Sequence, residues 1–382
     1  MKDSPDQPTA PKTIGDFREK DFLNDVLGAV ASTARREAFD DCVVIDLAEI
    51  IGERSLPYLV YSLDHPSFVR HPSPSIPPYR FYGRWLAATT CNDVVAMGAR
   101  CRGFSLDLAA PLNTMIDDMR ELLAGINDVL TDYGATYEGG NFDASSLETV
   151  GFCWGLVARH ALVRRQGARS GDRVAVTGIL GQGWAEYLVR KHGAYDRLPQ
   201  HVADSLRRYK EMPVAAHRAI AAAAEQGCLS SGMDLSDGLV EFLMTIAERS
   251  GRGVTVDAER LPVSPETVIT LPVITQLTGA PRLLTDLPAM ACLEAGYDSP
   301  MVHGFTVPDD RWDLAASIFQ QAQSPLYQIG WVTDAPGVRL RVGGREAEIP
   351  PFWDDQCRRS TLTEDWVAFL RTLQSRLSGA FG

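Results

Sequence analysis

The stretch MDLSDGL, residues 233–239, sets two carboxylates three positions apart, with Ser236 between them and Gly238 directly after. CLSSGMDLS (228–236) reads as strand-like, whereas LVEFLMTIAERSG (239–251) repeats apolar residues at the spacing of an amphipathic helix. Asp234 and Asp237 therefore sit where a strand hands over to a helix. Two physical readings are open there. Asp and Ser are favoured helix caps, each worth about 1 kcal/mol. Alternatively, like charges this close repel, and one tends to hold its proton unless a cation neutralises the pair.

Working outward, acids recur at the ends of other elements. Asp41 heads the strand-like DDCVVIDLAEI (40–50), and Asp64 ends LPYLVYSLD (56–64). Asp93 follows Asn92 in RWLAATTCNDVVAMGA (84–99), which has helical periodicity. Asn141 follows Gly139 and Gly140 in ATYEGGNFDASS (135–146), read as a turn after a short strand. A divalent-ion site assembled from distant segments needs carboxylates placed in this way. Mg²⁺ takes one or two of them together with waters and substrate phosphates, and several such ions would clamp a polyphosphate. The turn TGILGQG (177–183) can present backbone N–H groups at a helix start, but it lacks the P-loop pattern.

The chain of 382 residues is long enough for about two domains. A net charge of −12 argues against a general nucleic-acid binder but not against phosphate ligands bridged by metal. The seven cysteines form no C-x-x-C pair, which fits a reducing cytosol and a cytoplasmic protein. Among them Cys91 and Cys153 read as buried structural thiols rather than nucleophiles. No apolar run reaches the roughly 18 residues of a membrane helix. Residues 1–13 read as a disordered lead-in without a signal-peptide core, and 14–36 as helical. HPSPSIPP (71–78) holds four prolines and reads as a surface loop. Helices are expected at 115–134, 214–227 and 362–377, and strands at 101–111, 147–158, 173–178, 253–257 and within 327–342.

Six segments, in order, resemble the thiamine-monophosphate kinase family. That family lies within the superfamily of aminoimidazole ribonucleotide synthetase, selenophosphate synthetase and the hydrogenase maturation protein HypE. FDDCVVID (39–46) resembles G-D-D-x-A and implies Asp41 as a metal ligand. YSLDHPSFVRH (61–71) resembles S-T-D-x-L-V-x-x-x-H-F, implying Asp64 as a metal ligand and His71 as a substrate contact. NDVVAMGA (92–99) implies Asp93 as a metal bridge, and EGGNFDASS (138–146) stands in the place of G-G-D-T-T. There Gly139 and Gly140 are the implied nucleotide contacts and Asn141 holds a metal-ligand position. ALVRRQGARSGDRVAVTGILG (161–181) implies Arg165 as an ATP contact. MDLSDGL matches D-x-S-D-G-L, implying Asp234 and Asp237 as metal ligands and Ser236 as a nucleotide contact.

The resemblance implies an α+β, two-domain PurM-like fold. An N-terminal ATP- and metal-binding α/β domain (14–160) would contribute strands to a homodimer interface. A C-terminal α/β domain (161–345) and a tail (346–382) would follow. It implies ATP as co-substrate, several Mg²⁺ ions, and direct in-line transfer without a general base. Two departures concern the acceptor and one ion. Asn141 is neutral where the family has aspartate, with Asp143 close by. LEAGYDSPMVHGFTVP (293–308) lacks the family's G-G-D-D-Y-E-L, so Val302 falls where a substrate-contacting glutamate is expected. In PPFWDDQ (350–356), Phe352 or Trp353 could wall the acceptor site or simply dock the tail. The resulting expectation is a small-molecule kinase whose acceptor is open. An ATP-dependent ligase or cyclase and a non-catalytic nucleotide-binding protein are the alternatives.

Overall fold

Alternation of period two governs the N-terminal half. In β5 (Glu148–Val157) every second residue, from Thr149 to Val157, is buried and its neighbours are not. The computed structural model describes residues 40–67, 75–209, 211, 216–293, 302–352 and 362–381. The expected lead-in, the 14–36 helix, His71, Trp353 and residues 294–301 lie outside these residues.

β5 is the centre of a five-stranded sheet in the order β1 (Val43–Asp46), β2 (Tyr58–Asp64), β5, β3 (Arg100–Ala110), β4 (Thr136–Ala144). Only β3 and β4 pair in parallel. The buried face packs on helices Pro78–Ala96 and Ile116–Tyr133, through Leu86, Val94, Leu122, Ile126, Phe104 and Cys153. These two helices approach so closely that their backbones touch at glycines. A Cβ on Gly83 would lie 2.0 Å from the Leu122 carbonyl oxygen, and one on Gly125 would lie 2.1 Å from that of Arg80. Gly83→Ala or Gly125→Ala must therefore force the helices apart. A loss of about 1–3 kcal/mol is expected in urea unfolding, as for other overpacked cores.

The second half forms a seven-stranded sheet in the order β12 (Arg345–Glu348), β11 (Gly337–Val342), β8 (Gly253–Asp257), β10 (Leu326–Thr333), β6 (Arg173–Thr177), β9 (His303–Val307), β7 (Ser231–Asp234). Val174 and Val176 of β6 point into a core shared with helices Gln182–Lys191 and Leu239–Ser250. Ala175, Phe305 and Val307 point the other way and join the N-terminal core, with helices His217–Glu225 and Trp312–Gln321 between. The two halves thus meet across a packed apolar seam. This is the expected α+β, two-domain PurM-like architecture.

Four local expectations change. Gly139 to Asn141 lie inside β4 rather than in a turn. The strand survives two glycines because β4 meets a register shift between Phe104 and Ser105, where Gly139 takes φ 125°. Gly140 is crossed so closely by β3 that a Cβ would sit 1.7 Å from the Leu106 carbonyl oxygen. The 40–50 strand stops at Asp46, whose carboxylate accepts from Ala48 N at 2.9 Å and caps a short helix, Leu47–Ile51. The helix expected from 84 begins at Pro78, because a first-turn proline lacks only an N–H that would have no helical partner.

Finally, the described parts of 346–382 pack on the C-terminal half. β12 pairs with β11, and the Leu362–Phe381 helix sends Trp366, Phe369, Leu370 and Leu373 into the C-terminal core. Trp366 meets Trp184 edge-on at 5.3 Å. Phe352 is buried against Phe369 at 5.1 Å, so it docks this helix on the core. Among the described residues, no helix is long and apolar enough to cross a membrane.

Candidate active site

Asp234 is the last residue of β7 and stands opposite His303 on β9. The chain then turns sharply. Leu235 N donates to the Val302 carbonyl at 3.1 Å, and Gly238 N donates to Leu235 at 3.1 Å. Gly238 itself occupies the cap position, at φ 92°, and no side chain caps the helix. Only glycine takes this backbone without strain. Neither Asp234 nor Asp237 occupies the cap position of this helix, which falls to Gly238. The Asp234 carboxylate accepts from Ser236 N at 3.3 Å.

Helix Pro78–Ala96 crosses beside β7 and brings Asp93 there. Ser62, two residues before Asp64 on β2, donates to Asp93 Oδ2 at 2.5 Å. Arg165 reaches across from the other half of the chain: its Nε donates to Asp41 Oδ1 at 2.8 Å and its Nη2 to the same oxygen. The neighbouring Asp40 braces this pair, accepting from Arg165 N at 3.0 Å and from Arg164 Nη1 at 2.5 Å.

These acids act on one another's charge. Asp93 is raised well above the ordinary carboxylate range, first by burial and then by the charges of Asp234, Asp64 and Asp41. Asp234 is pushed up to about 7, by burial first and then by Asp41 and Asp237. Burial opposes the charge on Arg165, yet Asp41, Asp234 and Asp237 together raise its pKa. Asp41, Asp64, Asp93, Asp234 and Asp237 therefore converge from both halves of the chain, with Arg165 the cation they act upon. A hard oxygen set that repels itself into partial protonation is suited to Mg²⁺, which would replace the protons.

Other expected residues lie elsewhere. Asp64, Gly151, Leu106 and Gly140 stand level across four strands, so Asn141 falls about three strand spacings, roughly 14 Å, from Asp64. It is exposed, and its Nδ2 donates to Asp107 Oδ1 at 3.2 Å. Asn141, Gly139 and Gly140 thus flank the acid cluster rather than complete it within one chain. Ser236 sits in the turn between Asp234 and Asp237.

Two contributors escaped the sequence reading. Ser62 carried a usable signal, since a residue two before Asp64 in a strand shares its face. His303 carried none. It is fully buried, its Nε2 lies 3.3 Å from the Asn92 carbonyl oxygen, and burial pushes its pKa down to about 4. It ties β9 to the turn of helix that bears Asp93.

The chain matches the family description "AIR synthase related protein", with the N-terminal domain at residues 39–157 and the C-terminal domain at 169–343. A thiamine-monophosphate kinase of Halobacterium salinarum is 36% identical over 264 residues, 68% of this chain and 80% of its own length. One from Pyrococcus abyssi is 27% identical, covering 70% of this chain and 76% of its own. Among solved structures, "AaThiL complexed with AMPPCP and TMP" shares the fold with a TM-score of 0.72 at 22% identity, covering 91% of this chain and 100% of its own. Thiamine-monophosphate kinase from Stenotrophomonas maltophilia follows with a TM-score of 0.64 and 25% identity, covering 83% of this chain and 95% of its own.

Proposed function

Because this chain belongs to the AIR synthase related family, and within it to the thiamine-monophosphate kinase branch, we propose that it transfers the γ-phosphoryl group of ATP to a phosphate-bearing small molecule. The observation that carries this reading is the convergence of five carboxylates, from both halves of the chain, beside one buried guanidinium. Asp41, Asp64, Asp93, Asp234 and Asp237 would hold Mg²⁺. The bound metal supplies neutralisation of the phosphate charge and of the leaving oxygen. Arg165 adds a fixed positive charge for the phosphates, and the Asp40 contacts hold its backbone in place. Ser236, Gly139 and Gly140 would meet the nucleotide, and His71 the acceptor. With the acceptor oxygen aligned on phosphorus, positioning and charge neutralisation suffice, and no general base is required.

Thiamine monophosphate is the first acceptor to try. The side chain at Val302 is buried in the C-terminal core, 3% exposed, so it presents no carboxylate to an acceptor there. This supports an acceptor held by different contacts. Incubation with ATP, Mg²⁺ and a panel of phosphate monoesters that includes thiamine monophosphate should give ADP and a stable, doubly phosphorylated product. Inorganic phosphate with a new C–N bond would instead mark a ligase, and no binding of Mg-ATP at millimolar concentration would leave only a scaffold.

A homodimer fits the open face of the five-stranded sheet. Leu59, Tyr61 and Leu63 of β2 stand directly opposite Leu156, Trp154 and Phe152 of β5. Leu63 is 59% exposed, and the rings of Tyr61 and Phe152 lie 5.5 Å apart. This apolar row is only partly buried within the described residues and would be covered by a second copy. Light scattering should give twice the chain mass, and Leu63→Lys should give the monomer.

A further inference from the structure

Three thiols from three different elements meet in the core of the N-terminal half. Cys91 comes from helix Pro78–Ala96, Cys101 from β3 and Cys153 from β5. All three are buried and free, and their sulfurs lie within 4.8 Å of one another. Single buried cysteines are ordinary core residues. Three that converge on one point are also a complete set of soft ligands.

The dimensions suit a metal. An equilateral triangle with sides at that limit has its centre about 2.8 Å from each corner, against a Zn–S bond of about 2.3 Å. A shift of about half an ångström per sulfur closes the difference. The present partners of these thiols are weak: Cys101 Sγ lies 3.5 Å from the Cys91 carbonyl oxygen, and Cys153 Sγ lies 3.9 Å from that of Trp154. A cavity of about 270 Å³ beside β3 has Cys101 in its wall, along with Arg100, Arg102, Tyr133 and His217. Its arginines set positive charge on the Cys101 side of a site where bound thiolates would be negative.

We propose that Cys91, Cys101 and Cys153 form a binding site for a thiophilic d¹⁰ cation of the Zn²⁺ or Cu⁺ class, separate from the carboxylate cluster. Each thiol gives up its proton to solvent as a metal–sulfur bond forms. Thiolates select such ions over Mg²⁺, whereas the oxygen ligands of the carboxylate cluster suit Mg²⁺. Cys91 lies two residues before Asp93 on the same helix, so occupancy fixes the segment that carries Asp93.

Cd²⁺ is the probe. The reduced full-length protein, kept in excess Mg²⁺ and a phosphine reductant, is titrated while the sulfur-to-cadmium charge-transfer band is followed in the ultraviolet. The band should saturate at one equivalent per chain. Cys101→Ser and Cys153→Ser should each weaken binding at least tenfold, and Cys228→Ala, a buried cysteine outside the cluster, should leave it unchanged. Absence of the band at one equivalent, its displacement by Mg²⁺, or an undiminished band in either serine variant overturns the proposal. Should the serine variants not fold, X-ray absorption on the cadmium complex of the native chain decides: three sulfurs support the site, and two or fewer overturn it.

Discussion

Asp234→Asn should lower ATP turnover by about a thousandfold or more, yet raise the melting temperature of the metal-free protein at pH 8. The loss follows from removing one of the charges that would hold the metal, worth several kcal/mol in the transition state. The gain follows from the state of that carboxyl without metal. Its pKa is pushed from 3.8 to about 7, by burial and then by Asp41 and Asp237. Between those values the folded chain binds more protons than the unfolded chain, so stability falls as pH rises from about 4 to about 7. The difference between 3.8 and about 7 corresponds to a cost on the order of 4 kcal/mol above pH 7. The asparagine variant keeps the shape and escapes that cost. Melts at pH 5 and pH 8, with and without Mg²⁺, read both effects. The native chain should lose stability with rising pH when metal-free and recover it with Mg²⁺, while the variant should do neither to the same degree. A variant that melts lower at pH 8 and still turns over ATP would mean that Asp234 is a structural residue only.

Arg165→Ala should be the most destabilising change at the site. The side chains of Arg165 and Asp41 are only 15% and 1% exposed, and their pairing is direct. Removing the guanidinium leaves Asp41 buried near Asp93 and Asp234, whose charges already oppose one another. Breaking one side of such a buried pair costs about 3–5 kcal/mol. Mg²⁺ can replace the lost positive charge, so the deficit in urea unfolding should shrink at saturating Mg²⁺. Arg165→Lys should fall between, because an ammonium restores the charge but not the fork that presents Nε and Nη2 to one oxygen. An equal deficit with and without Mg²⁺ would separate Arg165 from the metal site.

Much of this was legible in the residues because it depends on short-range rules. The alternation of β5, the helix from Ile116 ended by Gly134 in the left-handed conformation, and the junction at MDLSDGL are all local patterns. Errors arose where a distant partner set the local shape. Gly139 and Gly140 look like a turn by composition but are drawn into a strand by β3. Phe352 looks available to a ligand but is taken by Phe369, seventeen positions on.

By itself the sequence determined which residues are chemically able to act: the spaced aspartates, Arg165, and the strand-to-helix turn that bears Asp234 and Asp237. The tertiary structure alone decided that aspartates from both halves of the chain act on one another's charge, that Asn141 stands three strands away, and that three cysteines without any recognisable spacing share a centre. The physical reason is the range of the forces. Propensity and periodicity act over a few residues, whereas Coulomb repulsion and ligand geometry depend on distances in space that only the packed sheets and helices fix.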